Sequence, residues 1–146
     1  KKIDKFLINF LNRQNKSLLI QPMKYGIISG GKKIRSTVIL SAGKIFNLDQ
    51  KKLINVCASV ECIHSYSLIH DDLPCMDNDS IRRGKPSTHI KFGEASAVLA
   101  GNSLLTLAFE ILSSKQLKLS PKVPSSINSI TRWFPTLSET VILNPR

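Results

Sequence analysis

Between His70 and Arg83 the chain reads HDDLPCMDNDSIRR, which places Asp71, Asp72, Asp77 and Asp79 within nine residues. Apolar residues at helical spacing run up to this segment, so Asp71 and Asp72 fall at the C-terminal end of an expected helix. That end is the negative pole of the helix dipole, and carboxylates are disfavoured there. Four crowded acids add mutual repulsion, so a positive partner is required. Oxygen-only donors suit a hard cation, Mg²⁺ first, which takes one or two carboxylates and completes its shell with water and substrate phosphate. The alternative is a solvated acidic turn neutralised by Arg82 and Arg83. Those arginines also match phosphate oxygens bidentately, so carboxylates and guanidiniums together suit a metal-bound polyphosphate. His64 lies seven residues before Asp71, on the same face of the helix. It can point at this site or rest as a satisfied core residue.

A second phosphate signal is SGGKKIR, Ser29 to Arg35. A glycine pair before a helix presents backbone N–H groups and the positive dipole end. Lys32 and Arg35 are three apart and share a face. Gly26, Gly31 and Lys32 fit part of a Walker A pattern, but Lys33 stands where Ser or Thr must hold Mg²⁺, and no strand precedes it.

The elements that must position these residues read as helices. Ile3, Phe6, Leu7, Phe10 and Leu11 predict an amphipathic helix over 3–19, ended or kinked at Gln21-Pro22. After Gly30-Gly31, the residues Ile34, Val38, Ile39, Ala42, Ile45 and Phe46 predict a second. Asp49 is the expected N-cap of a third, which runs through Leu53, Cys57, Val60 and His64 to about Asp72. Residues 73–93 hold Pro74, Gly84, Pro86 and Gly93 and predict a loop with a short helix. A fourth helix is expected over 94–112. Its small residues, Ala95, Ala97, Ala100, Gly101 and Ser103, admit a closely packed neighbour. No period-two alternation predicts a sheet, so the fold class is all-α.

Residues 114–146 differ in character. They hold four of the seven prolines, no glycine and a single acid, Glu139. Proline bars a long uninterrupted helix there, so a poorly ordered tail is expected, with Trp133 and Phe134 docking on the helices.

The chain carries 21 Lys+Arg against 10 Asp+Glu, a net charge of +11, with 42% hydrophobic residues. That composition supports a packed core and excludes a disordered chain. Fifteen of the 21 basic residues are lysines scattered along the chain, so small anions fit the charge as well as nucleic acid does, and no nucleic acid partner is expected. No stretch free of polar residues spans a bilayer: the nearest, 95–112, holds Asn102 and Glu110. Three cysteines, Cys57, Cys62 and Cys75, without a CxxC argue against a disulfide framework and fit a reducing cytoplasm.

Taken together, GGKKIR and the segment from Glu61 through HDDLPCMDNDSIRRGKPSTH to Leu112 resemble the trans-prenyltransferases, the polyprenyl diphosphate synthases. The likeness covers about Met23 to Leu112. It implies an antiparallel helix bundle of the isoprenoid synthase type, a homodimer, and condensation of isopentenyl diphosphate with an allylic diphosphate, dimethylallyl or geranyl, to farnesyl diphosphate. By likeness, Asp71 and Asp77 ligate Mg²⁺ with Asp72 supporting them. Arg82 holds the allylic diphosphate, and Lys32, Arg35, His64 and Arg83 hold isopentenyl diphosphate. Tyr66, five residues before Asp71, would face the growing hydrocarbon chain, where its bulk favours a C15 product over C20; it can also simply pack. Asn102 stands where the family carries Asp. Family members run to roughly twice this length and carry a second aspartate-rich motif. Asp71-Asp72 is the only adjacent acid pair here. The resemblance therefore implies the N-terminal half of the bundle over 1–113, truncated, with a divergent tail over 114–146 and near-background turnover from these residues alone.

Two other readings compete. His70-Asp71 prompts an HD-type metallophosphohydrolase, which needs further ligands where only His64 and His89 remain. A non-catalytic basic helical protein that binds polyanions is the other. The prenyltransferase reading predicts that Asp71, Asp77, His64, Lys32, Arg35, Arg82 and Arg83 converge on one cavity.

Overall fold

The computed structural model describes residues 2–14, 17–28, 30–114 and 117. Of the expected tail only Ser114 and Leu117 are among them; its order and the docking of Trp133 and Phe134 lie outside the described residues.

Among the described residues six helices make an all-α bundle: α1 (Lys2–Arg13), α2 (Ile20–Ile28), α3 (Ile34–Ile45), α4 (Gln50–Asp71), α5 (Thr88–Phe92) and α6 (Glu94–Ser113). The first expected helix, over 3–19, stops at Arg13, and an unexpected helix, α2, follows it. α1 buries Ile3, Leu7 and Leu11, one stripe at i, i+4, i+8, and ends at Arg13. Pro22 does not end a helix but sits in the first turn of α2. The first four N–H groups of a helix have no partner to lose, and the ladder starts one residue later, where the Met23 N–H donates to Leu19 O at 3.0 Å.

The bundle is organised on α4 and α6. Asp49 caps α4 as expected, its carboxylate accepting from the Lys51 N–H at 2.8 Å. α4 buries Cys57, Ala58 and Cys62, and α6 lays Ala97, Ala100, Leu104 and Ala108 against it, all fully buried. The small residues of α6 therefore do what their size predicts. Gly101 is the closest point: a Cβ there would collide with the His70 imidazole. His70, near the C-terminal end of α4, also contacts Val98 O through Nε2 at 3.1 Å, so the end of α4 meets the first half of α6.

α3 departs from expectation. Its apolar residues do not form a buried stripe: Ile34, Val38, Ile45 and Phe46 are exposed, and Ser36 and Gly43 are its buried positions. A helix apolar on several faces needs cover on several sides, and among the described residues α3 packs mainly on α4. By length and mean hydropathy, 1.6 over its most apolar window, α6 could cross a membrane. Here it is the core partner of α4, with Asn102 and Glu110 exposed.

The expected loop 73–93 contains a two-stranded ribbon that period-two reasoning misses because each strand is two residues long. β1 (Ile81–Arg82) pairs antiparallel with β2 (Lys85–Pro86). The connecting residues Arg83 and Gly84 have φ of 53° and 74°, the backbone of a type I′ hairpin turn.

Candidate diphosphate and metal site

Residues 30–33, between α2 and α3, are bent by glycine. Gly30 and Gly31 have φ of 87° and 126°, and Lys33 follows at 49°. This brings Lys32, Lys33 and Arg35 over the middle of α4. Together with His64, Arg83, Glu61, Ser65 and Leu68 they line a cavity of about 100 Å³. Four of the seven residues expected to converge do so here: Lys32, Arg35, His64 and Arg83.

Electrostatics in the cavity favour an anion. Burial, the nearby Arg35, Arg83 and Lys33 charges all push the His64 pKa below its ordinary 6.5, and only Glu61 opposes them. The ring is therefore neutral at pH 7, with one N–H to donate. Arg83 reaches the cavity from the hairpin turn and lies on the Gly31 backbone; a Cβ on Gly31 would stand 2.6 Å from its Nη1.

The acidic loop lies beside this cavity, not in its wall. The chain folds back so that the Asp77 N–H donates to Asp71 O at 2.9 Å, which sets the two acids side by side at the end of α4. Asp71 is half-buried and Asp77 exposed, and among the described residues neither is ion-paired. Asp72 differs. It is 2% exposed and accepts from Arg82 Nε at 2.6 and 2.8 Å, with Arg82 Nη2 on the same carboxylate. Arg82 also reaches Asp79 at 3.4 Å. The Asp72 carboxylate, first of all, holds the Arg82 pKa above its ordinary value. Arg82 and Asp72 line a neighbouring cavity that shares Ser65 and Leu68 with the first. Adjacent arginines thus part ways because the I′ turn intervenes: Arg82 goes inward to an acid, and Arg83 goes to the glycine loop.

Two of the expected site residues make other contacts in this structure. Arg82 is engaged by Asp72 and Asp79 and supports the acidic loop, where direct phosphate binding was expected. Tyr66 lines neither cavity; it packs on the core and meets the His70 ring edge-on at 4.6 Å.

No group of three His, Cys, Asp or Glu is arranged to hold a cation among the described residues. The donor set fits an ion shared with a ligand: Asp71 and Asp77 are joined through their main chains and make no ion pair among the described residues, two carboxylates being what Mg²⁺ commonly takes when phosphate completes its shell.

Sequence reasoning missed Lys33, Ser36 and Glu61. Glu61, 2% exposed, accepts from Ser36 Oγ at 2.5 Å and pairs with Lys33 Nζ at 3.1 Å. Lys33 Nζ also pairs with Asp4 at 3.4 Å. An acid at an otherwise apolar helical position, between Val60 and Cys62, was the available signal.

The polyprenyl synthetase family model matches residues 16–139. The chain belongs to the polyprenyl synthetase family. The match runs past residue 113, where the motif resemblance ends. Farnesyl diphosphate synthase of Buchnera aphidicola from Acyrthosiphon pisum is 47% identical over 123 residues, covering 78% of this chain and 44% of that protein. The Escherichia coli farnesyl diphosphate synthase is 53% identical over 95 residues, 65% of this chain and 32% of that protein. The chain thus spans less than half the length of these relatives. Among solved structures, geranyltranstransferase of Thermotoga maritima superposes with a TM-score of 0.76 at 36% identity, covering 94% of this chain and 50% of that one. Geranyltransferase of Legionella pneumophila gives 0.75 at 41% identity, over 86% and 44%. The isoprenoid synthase fold and the prenyltransferase family relationship follow.

Proposed function

We propose that this chain supplies the isopentenyl diphosphate site and the first metal-binding carboxylates of a prenyltransferase that makes farnesyl diphosphate. The observation that carries the reading is the cavity in which Lys32, Arg35, His64 and Arg83 meet. Two guanidiniums and an ammonium neutralise a diphosphate, and the His64 ring donates to one of its oxygens. Arg fixes orientation by paired N–H bonds, so the isopentenyl tail is held in one direction. The adjacent Asp71 and Asp77 carboxylates would hold Mg²⁺ against an allylic diphosphate, with Asp72 locked by Arg82 beneath them. Bound there, the metal would stabilise charge on the departing diphosphate. The reaction joins the isopentenyl double bond to the allylic carbon and releases diphosphate and a proton. No nucleophilic side chain is called for, and the chain's own contribution is positioning and charge stabilisation.

We also infer a homodimer, supported by Leu99 and Phe109, exposed on α6 at 53% and 52%, and a cytoplasmic location, supported by three free cysteines. The farnesyl product rests on the names of the relatives.

The test is binding of dimethylallyl diphosphate to the 146-residue chain, by calorimetry with and without Mg²⁺. Mg²⁺ is expected to add a binding site that is lost in Asp71→Asn, beside any metal-independent binding in the cation-lined cavity. No Mg²⁺-dependent site in the unsubstituted chain, or one that survives this substitution, would refute the assignment of the acidic loop.

A further inference from the structure

Glu61 sits oddly in the diphosphate cavity. It is a buried carboxylate in a wall whose other charged residues, Lys32, Lys33, Arg35 and Arg83, are cations, so it opposes the field that attracts an anion. Neither of its oxygens is open to a ligand: Ser36 Oγ donates to Oε1 at 2.5 Å, and Lys33 Nζ pairs with Oε2 at 3.1 Å. Its side chain is 3% exposed, that of Lys33 20%.

Lys33 is strained. It precedes α3 with φ 49° and ψ 43°, the left-handed region, which is unfavourable for a residue with a Cβ. Such a residue persists where its surroundings over-determine it. The surroundings here are Glu61 on α4 and, at 3.4 Å, Asp4 on α1. Ser36 lies three residues further on, in the first turn of α3, so Glu61 grips that turn at two points. The gripped turn carries Lys32 and Arg35, and His64 stands one turn beyond Glu61 on α4.

We propose that Glu61 is a positioning residue for the diphosphate cavity: it holds Lys33 in its left-handed conformation and thereby fixes Lys32 and Arg35 opposite His64. The role rests on the diphosphate reading above. It makes a prediction opposite in sign to electrostatics. Glu61→Gln removes a negative charge beside an anion site, and charge alone makes binding tighter. Lost positioning makes it weaker.

The experiment is calorimetric titration of inorganic pyrophosphate into the 146-residue chain and its Glu61→Gln, Lys33→Met and doubly substituted forms, with thermal melts of each. The expected result is binding about 10-fold weaker in each single variant, and a double variant no weaker than the worse single one, since the two residues act as one unit. Ser36→Ala keeps the ion pair and releases one grip; it is expected to bind about 3-fold more weakly, and it decides the matter should Glu61→Gln fail to fold. Equal or tighter binding by a folded Glu61→Gln, additive losses in the double variant, or in the fallback case unchanged binding by Ser36→Ala overturns the positioning role alone. No pyrophosphate binding by the unsubstituted chain overturns the diphosphate reading, and the positioning role with it.

Discussion

Gly31→Ala separates two ways of damaging the glycine loop. Gly31 has φ of 126°, outside the usual range of any residue with a side chain. Holding alanine there costs about 1–3 kcal/mol of backbone strain. The methyl would also stand 2.6 Å from Arg83 Nη1 and 2.9 Å from its Cζ. The guanidinium is the far end of a flexible chain, so it yields and leaves the cavity. A charge-assisted contact is worth about 1.5–3 kcal/mol, so diphosphate affinity should fall about 10- to 100-fold. Gly30→Ala is the control: its φ of 87° is also strained, but a Cβ there meets nothing within 4 Å. It should lower the melting temperature and leave most of the affinity. The assay is pyrophosphate calorimetry beside thermal melts, repeated in an Arg83→Gln background. With Arg83 gone, Gly31→Ala has no guanidinium to displace and should lose little further affinity. Equal losses from the two glycine substitutions, or a full further loss in the Arg83→Gln background, would refute the reasoning.

Anion binding should draw a proton onto His64, whose pKa is held low by burial and then by Arg35 and Arg83; binding heats in buffers of different ionisation enthalpy should reveal uptake near pH 6.5, absent in His64→Gln. The same depressed value means the folded state binds fewer protons than the unfolded one. His64 therefore lowers stability as pH falls through about 6.5, and His64→Gln should flatten that part of the pH–melting curve. Arg82→Ala strands the buried Asp72 carboxylate and should cost about 2–3 kcal/mol in denaturant unfolding, below the full cost for a buried pair because Arg82 is partly exposed; Asp72→Asn in the same background should restore part of it. Burial raises the Cys57 thiol pKa and pushes Cys62 up to about 12, so a thiol reagent should label only the exposed Cys75 in the native chain, as peptide mass mapping would report. Rapid native labelling of Cys62 would contradict the packing of α4.

Much of the fold was legible because α4 and α6 carry strong local signals: an Asp49 cap, long apolar periodicity and a run of small residues. α3 misled because spacing reports that residues share a face, not that anything covers it. The ribbon at 81–86 was hidden by its length, and its turn matters most to the site, since it sends Arg82 and Arg83 to different partners. Residue types in the acidic loop and in GGKKIR pointed to phosphate and metal chemistry. They left open whether Arg82 neutralises the acids or meets phosphate, and they did not reveal that Glu61 grips the start of α3, because that contact joins residues distant in sequence through backbone geometry that no motif encodes.

The central claim is that Lys32, Arg35, His64 and Arg83 form one diphosphate site. Its most direct test is calorimetric titration of isopentenyl diphosphate, without Mg²⁺, into the 146-residue chain and into the Lys32→Ala, Arg35→Ala, Arg83→Ala triple variant. The account predicts one site per chain, metal-independent because no metal-binding acid lines the cavity, and no detectable binding in a triple variant that still folds. Undiminished binding in that variant, or none in the unsubstituted chain, would contradict it.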